Sequence, residues 1–283
     1  ASKSKFPHSL IPYLSAGGTS DVVAKSENVF ELARRSYFGR VMYNYRNKYY
    51  IQGNIRRDGS SRFAADSRWG TFLSASAGWV FTSENFISGT KDWFDFGKLR
   101  VSYGELGNER INGYYPYQTT LTPAYSVGYI GNTVTSLPGY SQTAAVVRDL
   151  TWETTTTYDV GVDLTFLKNR LSLTADYYYK RTDDMLLPVP IAPIIGLSDP
   201  YDNVGTMNTR GWEITLGWRD RIGDLTYSVS FNLSDDVSKM GYIGNKEIIS
   251  GGKIIREGVE YQSWYGYVSD GIYQTEAEVN DSP

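Results

Sequence analysis

Residues 153–180 read Glu153-Thr154-Thr155-Thr156-Thr157-Tyr158-Asp159-Val160-Gly161-Val162-Asp163-Leu164-Thr165-Phe166, then Leu167-Lys168-Asn169, then Arg170-Leu171-Ser172-Leu173-Thr174-Ala175-Asp176-Tyr177-Tyr178-Tyr179-Lys180. Taken two at a time, Thr154, Thr156, Tyr158, Val160, Val162, Leu164 and Phe166 share one face, and Glu153, Thr155, Thr157, Asp159, Gly161 and Asp163 share the other. A period of two is that of a β-strand with one apolar and one polar side. After the short break the alternation restarts, with Leu171, Leu173, Ala175, Tyr177 and Tyr179 against Arg170, Ser172, Thr174, Asp176, Tyr178 and Lys180. The stretch therefore predicts a tight hairpin of two long strands. Ordinary strands run about 5 to 6 residues, whereas a tilted strand that crosses a bilayer needs about 9 to 11.

The same alternation recurs outward from this hairpin. Strands are predicted over residues 36–46, 49–55, 70–81, 99–103, 212–218 and 225–233, which with the hairpin makes about eight. The connections alternate in length: Asn47-Lys48, Leu167–Asn169 and Arg221–Asp224 are short and 82–98 is moderate, while 58–69, 105–151, 182–207 and 235 onward are long. Short turns at one end and long loops at the other are the habit of membrane β-barrels. The long connections are rich in turn formers, as in Pro138-Gly139 and Asp199-Pro200-Tyr201-Asp202-Asn203. Aromatic residues gather near the strand ends, at Tyr43, Tyr45, Tyr49 and Tyr50, at Phe81, Phe86, Trp93, Phe94 and Phe96, and at Trp218. Such rings suit the level where lipid meets water. The expected fold class is all-β, an antiparallel transmembrane β-barrel segment.

Composition removes several function classes. The chain has 283 residues, 24 of them Tyr, no Cys and one His. Without cysteine there are no disulfides, thiolate metal sites or cysteine nucleophiles. With 28 Lys+Arg against 31 Asp+Glu the net charge is −3, so no basic field exists to hold nucleic acid. The most apolar stretch, Met185–Leu197, is broken by Pro188, Pro190 and Pro193 and is too short for a membrane helix of about 18 or more residues. The slightly hydrophilic mean hydropathy is neutral, because barrel strands place a polar residue at every second position.

Enzyme chemistry finds little support. His8 sits in the leading segment and reads as a surface loop residue, and no Gly-x-Ser-x-Gly elbow is present. The pairs Asp183-Asp184 and Asp235-Asp236 lack the spaced oxygen ligands of a calcium loop. No metal and no cofactor is expected. Glu153, Asp159, Asp163, Asp176 and Glu213 could supply a carboxylate pair for glycoside hydrolysis, but they read better as the polar wall of a barrel lumen. Arg40, Arg46, Arg56, Arg100, Arg170, Lys180 and Arg219 occupy the same polar faces, so that wall mixes both charges. Arg57-Asp58-Gly59 looks like a recognition motif, yet Asp-Gly is first a turn signal. Asn232-Leu233-Ser234 matches a glycosylation sequon but falls within a strand.

The loop aromatics are candidate substrate contacts. They are Tyr114, Tyr115, Tyr117, Tyr125, Tyr129 and Tyr140 in one long connection, Tyr201 in the next, and Trp264, Tyr265 and Tyr267 in the last. Rings offer flat apolar faces suited to sugars or extended peptides; the competing reading is that they pack the loops together.

Several stretches also carry a family resemblance. Asn54-Ile55-Arg56-Arg57-Asp58-Gly59-Ser60-Ser61-Arg62-Phe63 followed by Arg68-Trp69-Gly70-Thr71-Phe72 resembles a signature of the SusC/RagA family of TonB-dependent outer-membrane transporters. Leu99–Asn108, Leu150–Thr155 with its Trp152-Glu153-Thr154, Asp176–Leu186, Asn203-Val204-Gly205, Gly211–Ile214 and Trp264–Gln274 follow in family order. The resemblance implies a portion of a large plugged barrel, of about 22 strands, that imports glycans or peptides. It further implies a SusD-like surface lipoprotein as partner, energy through TonB, contact with outer-membrane lipid, an outer-membrane location and a source among the Bacteroidota. Residues 1–35 are expected to form an extracellular loop segment and 36–283 a partial receptor barrel, with the plug domain and the C-terminal strands absent from the chain. On this reading the polar-face charges hold the plug. Two other readings remain: a complete small outer-membrane barrel serving as anchor or adhesin, which requires its first and last strands to pair, and a soluble β-rich carbohydrate-binding module.

Overall fold

The computed structural model describes residues 30–90, 93–111, 113–119, 121–130, 133–244, 247–269 and 271–280. His8 and most of the expected 1–35 segment lie outside the described residues. In chain order the strands are β1 (Arg34–Tyr45), β2 (Tyr49–Ser60), β3 (Trp69–Trp79), β4 (Phe94–Asn108), β5 (Leu121–Ile130), β6 (Thr133–Gln142), β7 (Glu153–Phe166), β8 (Leu171–Asp183), β9 (Leu186–Pro188), β10 (Tyr201–Asn203), β11 (Met207–Ile222), β12 (Leu225–Met240), β13 (Ile248–Ser250), β14 (Lys253–Ile255) and β15 (Ser263–Trp264). Eight of them form one sheet in the order β1-β2-β3-β4-β7-β8-β11-β12, antiparallel throughout. These eight run from 11 to 16 residues, about twice the usual strand length.

The tight turns explain themselves locally. Arg46 and Asn47 have φ of 53° and 54°, a left-handed pair inside a three-residue connection that the Lys48 amide closes by donating to the Tyr45 carbonyl at 3.0 Å, and the Asn47 amide donates to Asn44 Oδ1 at 3.0 Å. Between β7 and β8, Leu167, Lys168 and Asn169 all have φ near 60°, and the Asn169 amide donates to Asp95 Oδ2 at 2.8 Å. Between β11 and β12 the left-handed position is Gly223, φ 62°, where a glycine costs nothing sterically.

Register then sorts the side chains. Because directly opposed residues share a face, the rows Asn44, Tyr50, Gly78, Arg100, Gly161, Asp176, Glu213, Ser234 and Tyr43, Ile51, Ala77, Val101, Val160, Tyr177, Trp212, Asp235 run along opposite sides of the sheet. The second, mostly apolar side has no second sheet packed on it among the described residues: Val41 is 74% exposed, Ile51 58% and Val229 63%. A soluble sandwich would bury that side, so the soluble-module reading does not fit. Nor do β1 and β12 pair; they are the two ends of the sheet, which removes the closing contact the small-barrel reading requires.

Buried apolar side chains lie instead almost entirely at the long-loop end. One cluster joins Phe63, Phe72, Ile111, Leu150, Trp152 and Leu186, with Val147 and Tyr201 against it. A second joins Met185, Leu187, Met240 and Ile243.

Three expectations change. Arg57-Asp58-Gly59 is not a turn: all three residues lie in β2, paired with Thr71, Gly70 and Trp69, because the ladder outlasts the Asp-Gly signal. The short strand expected at 99–103 is the 15-residue β4, extended by Phe94–Lys98 and Gly104–Asn108. The 105–151 connection holds its own hairpin, β5 with β6.

Candidate functional site

The polar face is the candidate site. Register places Arg40, Arg56, Arg100, Glu153, Asp159, Asp163, Asp176, Lys180, Glu213 and Arg219 all on that one side. Only some of them meet. Arg100 Nε donates to Asp163 Oδ2 at 2.8 Å and its Nη2 to Asp163 Oδ1 at 3.1 Å and Asp176 Oδ1 at 2.9 Å. A planar guanidinium bridging two carboxylates is a fork that lysine cannot reproduce. Thr174 Oγ1 adds a bond to Asp163 at 3.3 Å.

Gly161 makes room for this network, since a Cβ there would lie 2.0 Å from Asp176 Oδ1 and 2.7 Å from the Arg100 guanidinium. Beside it a groove of about 510 Å³ is lined on this face by Tyr50, Gln52, Ser76, Lys98, Arg100 and Asp159. Lys98 Nζ stands 4.9 Å over the Tyr50 ring. Lys98 escaped the sequence reading because β4 was expected to start one residue later; Tyr50 was legible from the alternation of β2.

Several of the other charged positions have local partners. Arg40 donates to Asn54 Oδ1 at 2.7 Å and Arg56 to Asp58 at 2.7 Å. Lys180 Nζ lies 4.2 Å over the Tyr178 ring. Arg170 sits in the β7–β8 turn and pairs with Asp220 at 3.3 Å. Arg219 immediately precedes Asp220, and its amide donates to the Arg170 carbonyl at 2.8 Å. Glu153 does not stand free in the wall: it accepts from Asn108 Nδ2 at 2.9 Å and from the Leu186 amide at 3.1 Å, fastening the loops to the rim.

The loop aromatics divide as well. Tyr114 stacks on Phe30 with centroids 3.8 Å apart, under the Arg62 guanidinium at 5.6 Å. Tyr115 donates its hydroxyl to the Glu31 carbonyl at 3.1 Å and accepts from the Glu31 amide at 2.9 Å. Tyr201 packs on the Trp152 cluster, and Tyr117 is half-buried. Tyr140, Trp264, Tyr265 and Tyr267 are exposed, Trp264 at 84%; Lys253 lies over Trp264 at 5.2 Å and Arg256 over Tyr265 at 5.8 Å. The side chains of Tyr125 and Tyr129 lie outside the described residues.

The stretches singled out in the sequence converge at the loop end. Trp152 sits against Phe63 (centroids 5.3 Å) and Phe72 (5.6 Å), and its Nε1 donates to the Arg68 carbonyl at 3.1 Å. Asn203 bonds Thr151 through both its amide nitrogen, 3.0 Å, and its oxygen, 2.8 Å, and also reaches the Asp184 carbonyl at 2.8 Å. In the sequence it stood out only as part of a turn-forming run and of the Asn203-Val204-Gly205 resemblance, neither of which indicates these contacts.

At the turn end, Trp93, Phe94 and Phe166 stack within 5.1 to 5.9 Å. Glu84 there accepts from Tyr49 Oη at 2.7 Å, Lys48 Nζ at 3.2 Å and Trp79 Nε1 at 3.3 Å. The Tyr49 hydroxyl, then Lys48 and Trp79, hold its carboxyl below the usual carboxylate range. Long antiparallel strands, an uncovered apolar face, a charged opposite face and aromatic belts define the wall of a transmembrane β-barrel.

Comparison with known proteins narrows that class. The model of the family described as TonB dependent receptor-like, beta-barrel matches residues 9–271, and the chain belongs to that family. It is 35% identical over 244 residues to TonB-dependent receptor P39 of Formosa agariphila, covering 86% of this chain and 23% of that protein. It is 30% identical over 262 residues to TonB-dependent receptor SusC of Bacteroides thetaiotaomicron, covering 88% and 26%. A solved structure described as the RagAB peptide transporter superimposes with a TM-score of 0.74 at 28% identity, covering 89% of this chain and 28% of that one. These relatives make it a SusC/RagA-type receptor barrel, and the chain spans about a quarter of their length.

Proposed function

We propose that this chain forms part of the wall of a SusC-type, TonB-dependent importer in the outer membrane, taking up glycans or peptides together with a SusD-like surface lipoprotein. The observation that carries the reading is the two-faced sheet whose edge strands β1 and β12 do not pair, joined to kinship with receptors about four times as long. Unpaired strand edges in lipid cost several kcal/mol per backbone group, so such a sheet works as one sector of a larger closed wall. Residues 1–35 precede it on the extracellular side and 36–283 build the wall, although β1 begins two residues earlier, at Arg34. The apolar face meets lipid. The polar face, centred on Arg100 with Asp163 and Asp176, meets the lumen and holds a plug through contacts that TonB-driven movement breaks.

No covalent chemistry is involved on this reading. The exposed rings of Tyr140, Trp264, Tyr265 and Tyr267 receive substrate, whereas Tyr114, Tyr115 and Tyr201 are committed to packing. A relative described as a peptide transporter supports peptides as one substrate class, and ring stacking suits glycans equally.

The test is fractionation of cells with peptide mass spectrometry for residues 199–212 and sizing of the polypeptide that carries them. The expected result is an outer-membrane polypeptide far larger than 31.8 kDa, released only by detergent and co-purifying with a lipoprotein. Recovery without detergent, or a membrane band at 31.8 kDa, would overturn the reading.

A further inference from the structure

The apolar face is not uniform from end to end. Its basic residues within the eight long strands are Arg35, Arg57, Arg181, Arg210 and Lys239, and register places every one of them toward the long-loop ends. The turn-end half of that face carries no basic residue in the same strands and is mostly rings and aliphatic chains, such as Tyr45, Tyr49, Trp79, Phe166, Leu171 and Trp218, with Asp220 opposite Tyr227. Of the basic positions, Arg35 and Arg57 are the most demanding electrostatically. Arg57 lies opposite Tyr37 and Arg35 opposite Gly59, so the two arginines are diagonal cross-strand neighbours, about 7 to 8 Å apart at their backbones. Like charges so placed repel.

Neither arginine has a carboxylate on this face within its own strand pair: Asp58 points to the other side, where it takes Arg56 at 2.7 Å. Instead the two flank an aromatic floor. Tyr37 and Trp69 stack with centroids 5.9 Å apart, and the Arg57 guanidinium lies 5.5 Å over the Trp69 ring. The indole lies flat across Gly59, where a Cβ would come within 2.9 Å of the ring.

Height decides what this platform meets. From Tyr49, in the turn-end belt, to Arg57 is eight residues. At about 3.3 Å each and a tilt of about 40° they climb roughly 20 Å, close to the far edge of an apolar band about 25 Å tall. We infer that Arg35 and Arg57, over the Tyr37–Trp69 floor, form a binding site for the phosphate-bearing headgroup of a lipid in the leaflet on the loop side. Two guanidiniums on exposed stems can each present paired N–H donors to phosphate oxygens, and the rings accept the upper part of the acyl chains.

The inference rests on the apolar face meeting lipid, as proposed above. Its test uses the whole membrane protein in detergent, with native mass spectrometry of bound lipid. Wild type should retain phosphorylated lipid A over the same lipid stripped of phosphate. Arg35→Gln and Arg57→Gln should each weaken retention roughly fivefold, from about 1 kcal/mol per basic residue at a charged lipid surface. Arg221→Gln, on the opposite face and at the turn end of β11, should leave lipid retention unchanged. Raising salt from low to high concentration should weaken wild-type retention, a readout that needs no variant to fold. Equal retention of the dephosphorylated lipid, an equal effect of Arg221→Gln, or displacement by millimolar inorganic phosphate would each overturn the assignment. Failure of the importer reading looks different: the wild-type protein would then not partition into membranes at all.

Discussion

The loop end and the membrane-facing stretch of the same sheet solve opposite problems with the same residue types. At the loop end apolar side chains turn inward: Phe63 is fully buried, Leu150 is 1% exposed and Trp152 8%. Along the span they turn outward, with Val160 51% exposed and Tyr177 55%, although both strands are ordinary antiparallel ladder. The difference lies in the solvent. In the span lipid replaces a packed core, so the ladder needs only closed hydrogen bonds and an apolar outer surface. Above it, water returns, and the long connections must bury their own core or come apart. This protein therefore keeps its water-type hydrophobic core outside the membrane.

The sharpest way to break that contrast is Trp152→Ala. The indole packs on Phe63 and Phe72 and donates to the Arg68 carbonyl, so truncation costs about 3 to 5 kcal/mol. The loss should stay local. Limited proteolysis of the detergent-solubilised protein should show new cuts within residues 109–151 and 184–206, while the strands resist as before. Unchanged loop protection would mean the cluster is not what holds the loops.

Next in size is a charge placed on the apolar face. Val160 sits near the middle of β7, between Tyr158 and the Phe166 belt, and Val160→Arg should cost about 2 to 4 kcal/mol, the figure for arginine at the midplane of a membrane barrel. An arginine one residue away, Asp159→Arg, points to the opposite side, where Arg100, Asp163 and Asp176 already hold charge. Comparing the two variants by unfolding in lipid vesicles measures the facing directly. If both cost the same, the assignment of the two faces fails.

The alternation of residues 153–180 and of the strands beside them made the span legible residue by residue, because a period of two survives whatever lies on either side of the sheet. Strand ends were less legible. Gly97, Gly104 and Gly107 lower the β signal of β4, and Asp58-Gly59 imitates a turn, yet the ladder carries through both because neighbouring strands are already aligned. The site was legible only as a face. That Arg100 would bridge Asp163 and Asp176 depends on register across three strands and on the gap left by Gly161, which pairwise alternation does not encode. The loop tyrosines gave no such handle at all. Tyr115 holds Glu31 from 84 residues away, a contact with no local signature, so packing rings and exposed rings look alike in sequence.

The smallest expected effect concerns the turn end, where the contrast between buried and exposed nearly vanishes. Glu84 is held there by Tyr49, Lys48 and Trp79, and those bonds lower its carboxyl pKa from the ordinary value of 4.5. A group whose folded pKa is depressed stabilises the fold above its unfolded pKa and loses that contribution as pH falls through the folded value. The clasp should therefore act fully at neutral pH and fade below about 4.5. Glu84→Gln keeps the shape but removes the titration. Comparing thermal midpoints of the two proteins between neutral pH and pH 3, the wild type should be slightly the more stable at neutral pH and should converge on the variant in acid. Parallel curves across that range would show that the turn needs the hydrogen-bonding shape of this side chain and not its charge, and that stability at this end comes from the Trp93, Phe94 and Phe166 stack beside it.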